Sequence, residues 1–126
     1  MIHTNELMLG NWVEYATGLH GDKRSIPMQV TGIFSDTVYL NFDGNEGDVF
    51  EEEEENLLGI PITEELLEKC GFNMKKWIDE NNVIVDKFPN GYALLMYSRR
   101  IEGISFLHEL QNAYFMTAKK HLEVKL

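Results

Sequence analysis

The sequence is poor in cysteine and contains no long apolar run. Its single cysteine, Cys70, cannot form an internal disulfide, which suits a compartment where thiols stay reduced. No run of about 18 apolar residues is present, and the opening MIHTNELMLG lacks the basic flank and apolar stretch of a secretion signal. These absences predict a cytoplasmic protein that does not enter a membrane. Cys70 stands where a helix would place an apolar residue, so we expect its thiol in the core.

Motifs for catalysis and metal binding are also missing. No serine stands in a Gly-x-Ser-x-Gly turn, no phosphate-binding glycine-rich loop precedes a helix, and no dinucleotide fingerprint occurs. His108 and Glu109 begin like a zinc-protease motif, but the second histidine of that motif is replaced by Asn112. We therefore predict that the protein is not an enzyme and has no catalytic residues, metal ligands or cofactor. A small hydrolase with a site built from scattered residues is the alternative.

Negative charge is present in excess and is unevenly distributed. The net charge is −10; residues 1–62 hold twelve acidic and two basic side chains, whereas residues 63–126 hold nine of each. Nucleic-acid binding relies on Lys and Arg side chains that neutralise phosphates. The charge pattern therefore predicts no direct nucleic-acid binding by the first half, and it favours a partner that is another protein.

The most biased segment is the run of five glutamates at 51–55. From Asp43 onwards the sequence partly matches a calcium loop, with Asn45 third and Glu54 twelfth. The sixth position of such a loop must be glycine, but here it is Asp48, and the flanking sequence is typical of strands rather than helices. We interpret the run as an acidic edge strand, whose charge discourages pairing with other sheets, and weak binding of a divalent ion is the alternative.

The first half of the chain is typical of short strands separated by turns. Val38 and Leu40 alternate with Tyr39 and Asn41, which is the period of a half-buried strand. The other predicted strands cover 11–16, the stretch through Met28, Val30 and Ile33, and the entry to the acidic run at Val49 and Phe50, with turns at 18–22 and 43–47. Four or five short strands bury an apolar face most simply by curling, so residues 1–60 predict a small SH3-like β-barrel.

The second half predicts a helix, a β-hairpin and a second helix. Thr63 is a good N-cap and Gly71 a good terminator, which favours a helix over 63–70. Asn90 and Gly91 predict a hairpin between strands at 83–88 and 92–98, with a third strand at 100–104. Residues 72–82 are left open between a short helix and a loop.

The end of the chain predicts an amphipathic helix and a closing strand. Leu107, Leu110 and Tyr114 recur at helical spacing, which favours a helix over about 105–117. Leu122, Val124 and Leu126 alternate with charged residues, which favours a strand. The whole sequence thus predicts one α+β domain over 1–126, in which the part at 61–126 packs against the barrel.

A possible interaction surface is suggested by aromatic and polar side chains. Aromatic residues of a small barrel can line a peptide groove or fill its core, and Tyr15 and Tyr39 are the better surface candidates because a phenol is comfortable at an interface. On the last helix, His108, Gln111 and Asn112 are polar residues interleaved with apolar ones. They could contact a partner, although hydrogen bonding within the fold is favoured for that face. The other aromatics considered are Trp12, Phe34 and Phe42.

Three stretches carry a resemblance to a known family: NELMLGNWVEY, GIPITEELLEKCGF and ISFLHELQNAYF. In that order they resemble an uncharacterised family, a domain of unknown function in short bacterial proteins of gut anaerobes, their prophages and mobile elements. The resemblance spans nearly the whole chain but departs after the last helix, where MTAKKHLEVKL replaces a commoner ending with Leu-Thr-Gly. It implies a bacterial or phage cytoplasmic setting and, since the family has no assigned activity, no catalytic residues.

Two functional hypotheses follow from these observations. The first is a non-enzymatic binding or adaptor protein, because a barrel-like strand pattern occurs without catalytic motifs. The second is an acidic decoy that imitates nucleic acid and occupies a basic protein, because the excess charge is concentrated in one half. Their expected response to salt differs: a decoy complex weakens steeply as salt rises, whereas apolar docking does not.

Overall fold

The computed structural model describes residues 1–41, 50–73 and 75–126. The chain divides into two compact units, unit 1 (Met1–Ile60) and unit 2 (Pro61–Leu126). Unit 1 is built from strands, whereas unit 2 combines strands with two α-helices, so the protein is mixed α+β. The predicted strand at Val49, the turn at 43–47, Phe42 and Met74 lie outside the described residues.

Unit 1 is a curled antiparallel sheet that forms a half-barrel. Strand β1 pairs with β2, β3 and β6, and the sheet continues from β3 through β4 to β5. Short 3₁₀ turns stand at Thr4–Glu6, Leu19–Gly21 and Glu54–Asn56, and the last of these connects β5 to β6. The strands are β1 (Trp12–Thr17), β2 (Lys23–Arg24), β3 (Met28–Ile33), β4 (Thr37–Asn41), β5 (Phe50–Glu53) and β6 (Leu57–Leu58).

The core of unit 1 follows from the two-residue period of its strands. In β4 the side chains of Val38 and Leu40 are buried, while Tyr39 between them faces the other way. Val13 in β1 and Val30 in β3 join the same buried cluster, as the alternation predicts. The remaining members of the cluster are Ile2, Leu7, Met28 and Leu57, with Tyr15, Ile33 and Phe50 packed against it.

The acidic run is only partly a strand. Glu51 and Glu53 lie in β5, but the chain then turns through the 3₁₀ segment Glu54–Asn56 before β6 begins. The backbone N–H of Glu54 donates to the carbonyl of Asp36 at 2.9 Å, which extends the contact with the β4 side of the sheet. Two very short strands, β2 and β6, bring unit 1 to six strands among the described residues, where four or five were predicted.

In unit 2 the predicted helices and hairpin are confirmed. Helix α1 (Glu64–Lys69) begins after Thr63, whose hydroxyl accepts a hydrogen bond from Leu66 N–H at 3.1 Å. The sheet has the order β7 (Ile84–Phe88), β8 (Gly91–Met96), β9 (Arg99–Ile104), and helix α2 (Leu107–Ala118) packs against β8 and β9. Glu109 accepts hydrogen bonds from the backbone N–H groups of Ser105 and Phe106, which holds the start of α2.

Two segments of unit 2 differ from regular structure. The segment left open at 72–82 consists of turns in its described residues, with Trp77 in the left-handed region at φ 51° and an isolated bridge between Ile78 and Ile84. The predicted closing strand at the C-terminus is wrong. Leu122 is buried, as the alternation suggested, but the backbone N–H of Lys125 donates to the last carbonyl of α1 at Lys69 instead of joining a sheet.

No helix among the described residues is both long enough and apolar enough to span a membrane.

The core assignment of unit 1 can be tested by truncating Leu40. Leu40→Ala is expected to lower the free energy of unfolding by about 2–5 kcal/mol, because it removes buried methyl groups and leaves a cavity. The control is Leu19→Ala: Leu19 is 78% exposed, so its loss should change that free energy by less than about 0.5 kcal/mol. Urea unfolding followed by Trp12 fluorescence in a Trp77→Phe background reports on unit 1, and equal effects of the two substitutions would contradict this core.

Candidate functional site

An aromatic pair lies on the outer side of the β3–β4 hairpin. Phe34 is 47% exposed, and its ring meets that of Tyr39 edge-on, with centroids 4.7 Å apart and planes at 60°. The tight turn that brings them together is closed by a 2.9 Å hydrogen bond from the N–H of Phe34 to the carbonyl of Thr37. Such edge-to-face pairs are favourable beyond the area they bury, so the two rings support each other at the surface.

Gly32 lies beneath the Tyr39 ring. The two residues are cross-strand partners in β3 and β4, next to a register shift between Val30 and Gly32. A Cβ atom at position 32 would lie 3.0 Å from Cδ2 of Tyr39, which is closer than side chains ordinarily approach. The missing side chain therefore lets the Tyr39 ring lie on the backbone of β3.

Two carboxylates stand beside this aromatic pair. Glu51 is the cross-strand partner of Tyr39, and Glu53 is the partner of Thr37, so both side chains project from the same side of the sheet as the tyrosine. A side-chain hydrogen bond to Glu55 and repulsion by that carboxylate raise the pKa of Glu53. We call the group Gly32, Phe34, Tyr39, Glu51 and Glu53 the outer face.

The intervening glutamates have internal roles instead. Glu54 Oε2 accepts a hydrogen bond from the backbone N–H of Thr4 at 2.9 Å, and Glu52 Oε1 accepts one from Asn56 Nδ2 at 2.7 Å. They hold the N-terminal 3₁₀ turn and the turn before β6, so the five glutamates do not act as one charged cluster. No group of three or more metal-ligating side chains occurs in the described part of the chain, and the calcium-loop positions at 43–48 lie outside it.

Tyr15 lies on the other side of the sheet from Tyr39. Its ring packs against the core of unit 1 and tilts against Phe50, with centroids 5.4 Å apart. Its backbone N–H donates to Ser25 Oγ at 2.9 Å. The two tyrosines proposed from the sequence are therefore both half-buried, but they do not share a face.

The polar residues predicted for α2 belong mainly to the interior of unit 2. His108 is only 3% exposed and stacks beside Phe106, with centroids 6.0 Å apart. Gln111 and Asn112 are half-buried and engaged in contacts of their own. His108 is thus not a surface side chain, because the buried stripe of α2 is wide enough to include it beside Leu107.

The structure shows a polar cluster in unit 2 that the sequence analysis missed. The hydroxyl of Tyr114 donates a hydrogen bond to Asp79 Oδ2 and accepts one from Asn81 Nδ2 at 2.8 Å. Lys120 Nζ donates to Asn81 Oδ1 at 3.0 Å. These four residues line a cleft of about 660 Å³, together with the end of α1 and the C-terminal segment. Asp79 with Asn81 and Asn82 is typical of a turn, but it gives no signal for the distant tyrosine.

This polar cluster holds the turn after Asp79 in place and ties it to α2, and we call it the anchor. Asp79 Oδ1 also accepts the backbone N–H groups of Asn81 and Val83, each at 3.0 Å, so the carboxylate closes its own turn. Burial, followed by the hydrogen bond to Asp79, raises the pKa of Tyr114 to about 12, and the phenol stays neutral. Burial also raises the pKa of the Cys70 thiol, which lines the same cleft, to about 12. The buried cysteine predicted from the sequence is confirmed, and neither group is poised as a nucleophile at neutral pH.

Comparison with known proteins adds no assignment: no protein-family model, no curated protein and no solved structure matches the chain.

The anchor predicts a pH dependence that Tyr114→Phe should remove. The folded state holds the phenol proton up to about pH 12, whereas the unfolded state releases it near the ordinary tyrosine pKa of 10.0. The hydroxyl's contribution to stability is therefore complete below pH 10 and declines as pH rises towards 12. We expect wild type to exceed Tyr114→Phe in free energy of unfolding by about 1–3 kcal/mol at pH 8, with this difference shrinking above pH 10. Urea unfolding at several pH values measures it.

Tyr97→Phe is the matched control, because Tyr97 is 88% exposed. The free energy of unfolding of Tyr97→Phe should stay close to that of wild type at every pH. The Cys70 thiol titrates in all three proteins, so its contribution cancels in the comparison. A difference for Tyr114→Phe that stays constant through pH 11 would contradict the assigned role.

Proposed function

We propose that the protein is a non-enzymatic binding module that recognises another protein through the outer face of unit 1. The observation that carries this proposal is the aromatic pair of Phe34 and Tyr39, which stands at the surface beside Glu51 and Glu53. Exposed aromatic rings with a polar rim are typical of sites where proteins meet. An adaptor protein needs only such a surface on a stably folded unit.

The finer part of the proposal is that unit 1 is an SH3-like barrel. Its support is the return of the sheet to its first strand, since β6 follows the 3₁₀ turn Glu54–Asn56 and pairs with β1 at Tyr15 and Leu57. Small barrels of this type bind peptide segments on aromatic-lined surfaces. The outer face would serve the same purpose on the β3–β5 side of the sheet.

The setting we propose is the cytoplasm of a bacterium, where a prophage or mobile element could carry the gene. It rests on the sequence resemblance and on the single buried cysteine, Cys70.

The proposal of a non-enzyme is supported by the polar cluster of unit 2. Its tyrosine and aspartate hydrogen-bond to each other and to the chain, which suits an anchor better than an acid–base pair.

A second candidate is an acidic decoy that imitates nucleic acid and occupies a basic protein. It is favoured by the charge of residues 1–62, which carry twelve acidic and two basic side chains. A surface of that sign attracts proteins that normally hold phosphates. In this case the charge of the whole unit matters more than the two aromatic rings.

Capture from the native host tests the proposed surface. Tagged wild-type protein is expected to recover a reproducible partner, and Phe34→Ala is expected to reduce that recovery about tenfold, as the loss of a central aromatic contact typically does. The control Tyr97→Ala removes a more exposed ring from unit 2 and should leave recovery unchanged. Quantitative mass spectrometry of the recovered material makes the measurement, with circular dichroism to check that each variant is folded.

Salt separates the two candidates in the same experiment. A complex at the outer face combines the aromatic pair with charge, so it should weaken but still depend on Phe34 as salt is raised from about 0.1 to 1 M, where the screening length falls from about 10 to 3 Å. A decoy complex should be lost over that range and should not respond to Phe34→Ala. Equal recovery with wild type and Phe34→Ala in low salt, followed by loss in high salt, would favour the decoy and contradict the adaptor.

A further inference from the structure

We infer that the outer face of unit 1 seats an arginine side chain of the partner protein, an inference that rests on the proposed binding function. Within unit 2, an arginine of this chain already lies over an aromatic ring between two carboxylates. The outer face has the same kinds of groups, but no basic side chain pairs with them among the residues that the structure describes.

The arginine site of unit 2 shows how these groups work together. The guanidinium of Arg100 lies over the Phe88 ring, with Cζ 5.1 Å from the centroid. Its Nε lies 2.6 Å from Glu102 Oε1, and its Nη1 lies 3.9 Å from Asp86 Oδ2. The ring attracts the cation through its quadrupole, Glu102 accepts its Nε–H, and Asp86 adds a longer ion pair. Strand-borne carboxylates beside a half-exposed ring are therefore sufficient to hold arginine in this protein.

The outer face repeats this combination. Phe34 and Tyr39 provide the rings, and Glu51 stands directly across from Tyr39, a pairing that brings Cβ atoms to within about 5.5 Å. Glu53 lies on the same side, two residues further along β5.

In the described part of the chain, no basic side chain pairs with either Glu51 or Glu53. Arg24, one of the two basic side chains of unit 1, is already held by Glu14 Oε1 at 2.6 Å and by the carbonyl of Gly59. The charge of the outer face is thus left for a cation from outside.

Arginine fits this surface better than lysine does. A guanidinium is planar and weakly hydrated, so it stacks on a ring and donates to two carboxylates at once, whereas an ammonium acts as a strongly hydrated point charge. A second copy of the chain is a poor occupant, because it would bring another unit with twelve acidic side chains against two basic ones. The occupant is therefore an arginine-bearing segment of a different protein.

The test uses short peptides that carry two arginines separated by one glycine. Two companion peptides replace both arginines by lysine or by citrulline, which is neutral and has nearly the same shape. Each is titrated into the full-length ¹⁵N-labelled protein while backbone amide shifts are followed by NMR. We expect the arginine peptide to shift amides of β3, β4 and β5, the lysine peptide to bind several-fold more weakly, and the citrulline peptide to give no saturable shift.

Charge-matched variants separate this site from general attraction to an acidic protein. Glu51→Gln combined with Glu53→Gln should weaken the arginine peptide about threefold to tenfold, the effect of losing two exposed ion pairs. Glu80→Gln combined with Glu123→Gln removes the same charge from unit 2 and should change the affinity by less than twofold. Phe34→Ala should weaken binding and abolish the preference for arginine over lysine.

Three results would each overturn the inference. They are amide shifts spread over all acidic residues, an equal loss of affinity in the two glutamine double variants, and no binding of the arginine peptide. These failures are distinguishable from failure of the proposed function. If host capture still depends on Phe34 while the peptide does not bind, the binding module stands and only its arginine-bearing occupant is wrong.

Discussion

The alternation of side chains along β4 is the constraint on which unit 1 depends. Because neighbouring residues of a strand point to opposite sides, burying Val38 and Leu40 obliges Tyr39 to face outward. The same register sets Glu51 across from the tyrosine and Gly32 beneath it. A shift of one residue would reverse every side chain, so the core and the outer face cannot change independently.

The carboxylates of this protein differ in the groups that they contact, and their roles follow from those groups. Glu54 and Asp79 accept backbone N–H groups and hold turns, and Glu102 accepts the guanidinium of Arg100. Glu51 and Glu53 have no basic partner among the described residues, and they stand beside rings. The strand period and the turn that follows it thus give the five glutamates different roles. Some of them stabilise the fold, and others lie at the surface.

Local chemistry made much of the fold predictable. The Thr63 cap, the Asn90–Gly91 turn and the spacing of α2 each act over a few residues, and each predicted the element that the structure has. The candidate site was harder to predict from the sequence. Burial of His108 depends on how wide the buried face of α2 is, and Tyr15 and Tyr39 differ in the side of the sheet that each one faces. Such facts arise from packing between distant segments, which single-sequence patterns do not contain.

The bond between Asp79 and Tyr114 joins residues 35 positions apart, and it is a principal tie on the irregular segment at 72–82. That segment has no helix or ladder in its described residues that could form alone. Its local turn is closed by Asp79, but its tie to α2 closes a long loop, which costs chain entropy before any contact offsets it. During synthesis, this bond cannot form before Tyr114 has left the ribosome, well after Asp79 has done so.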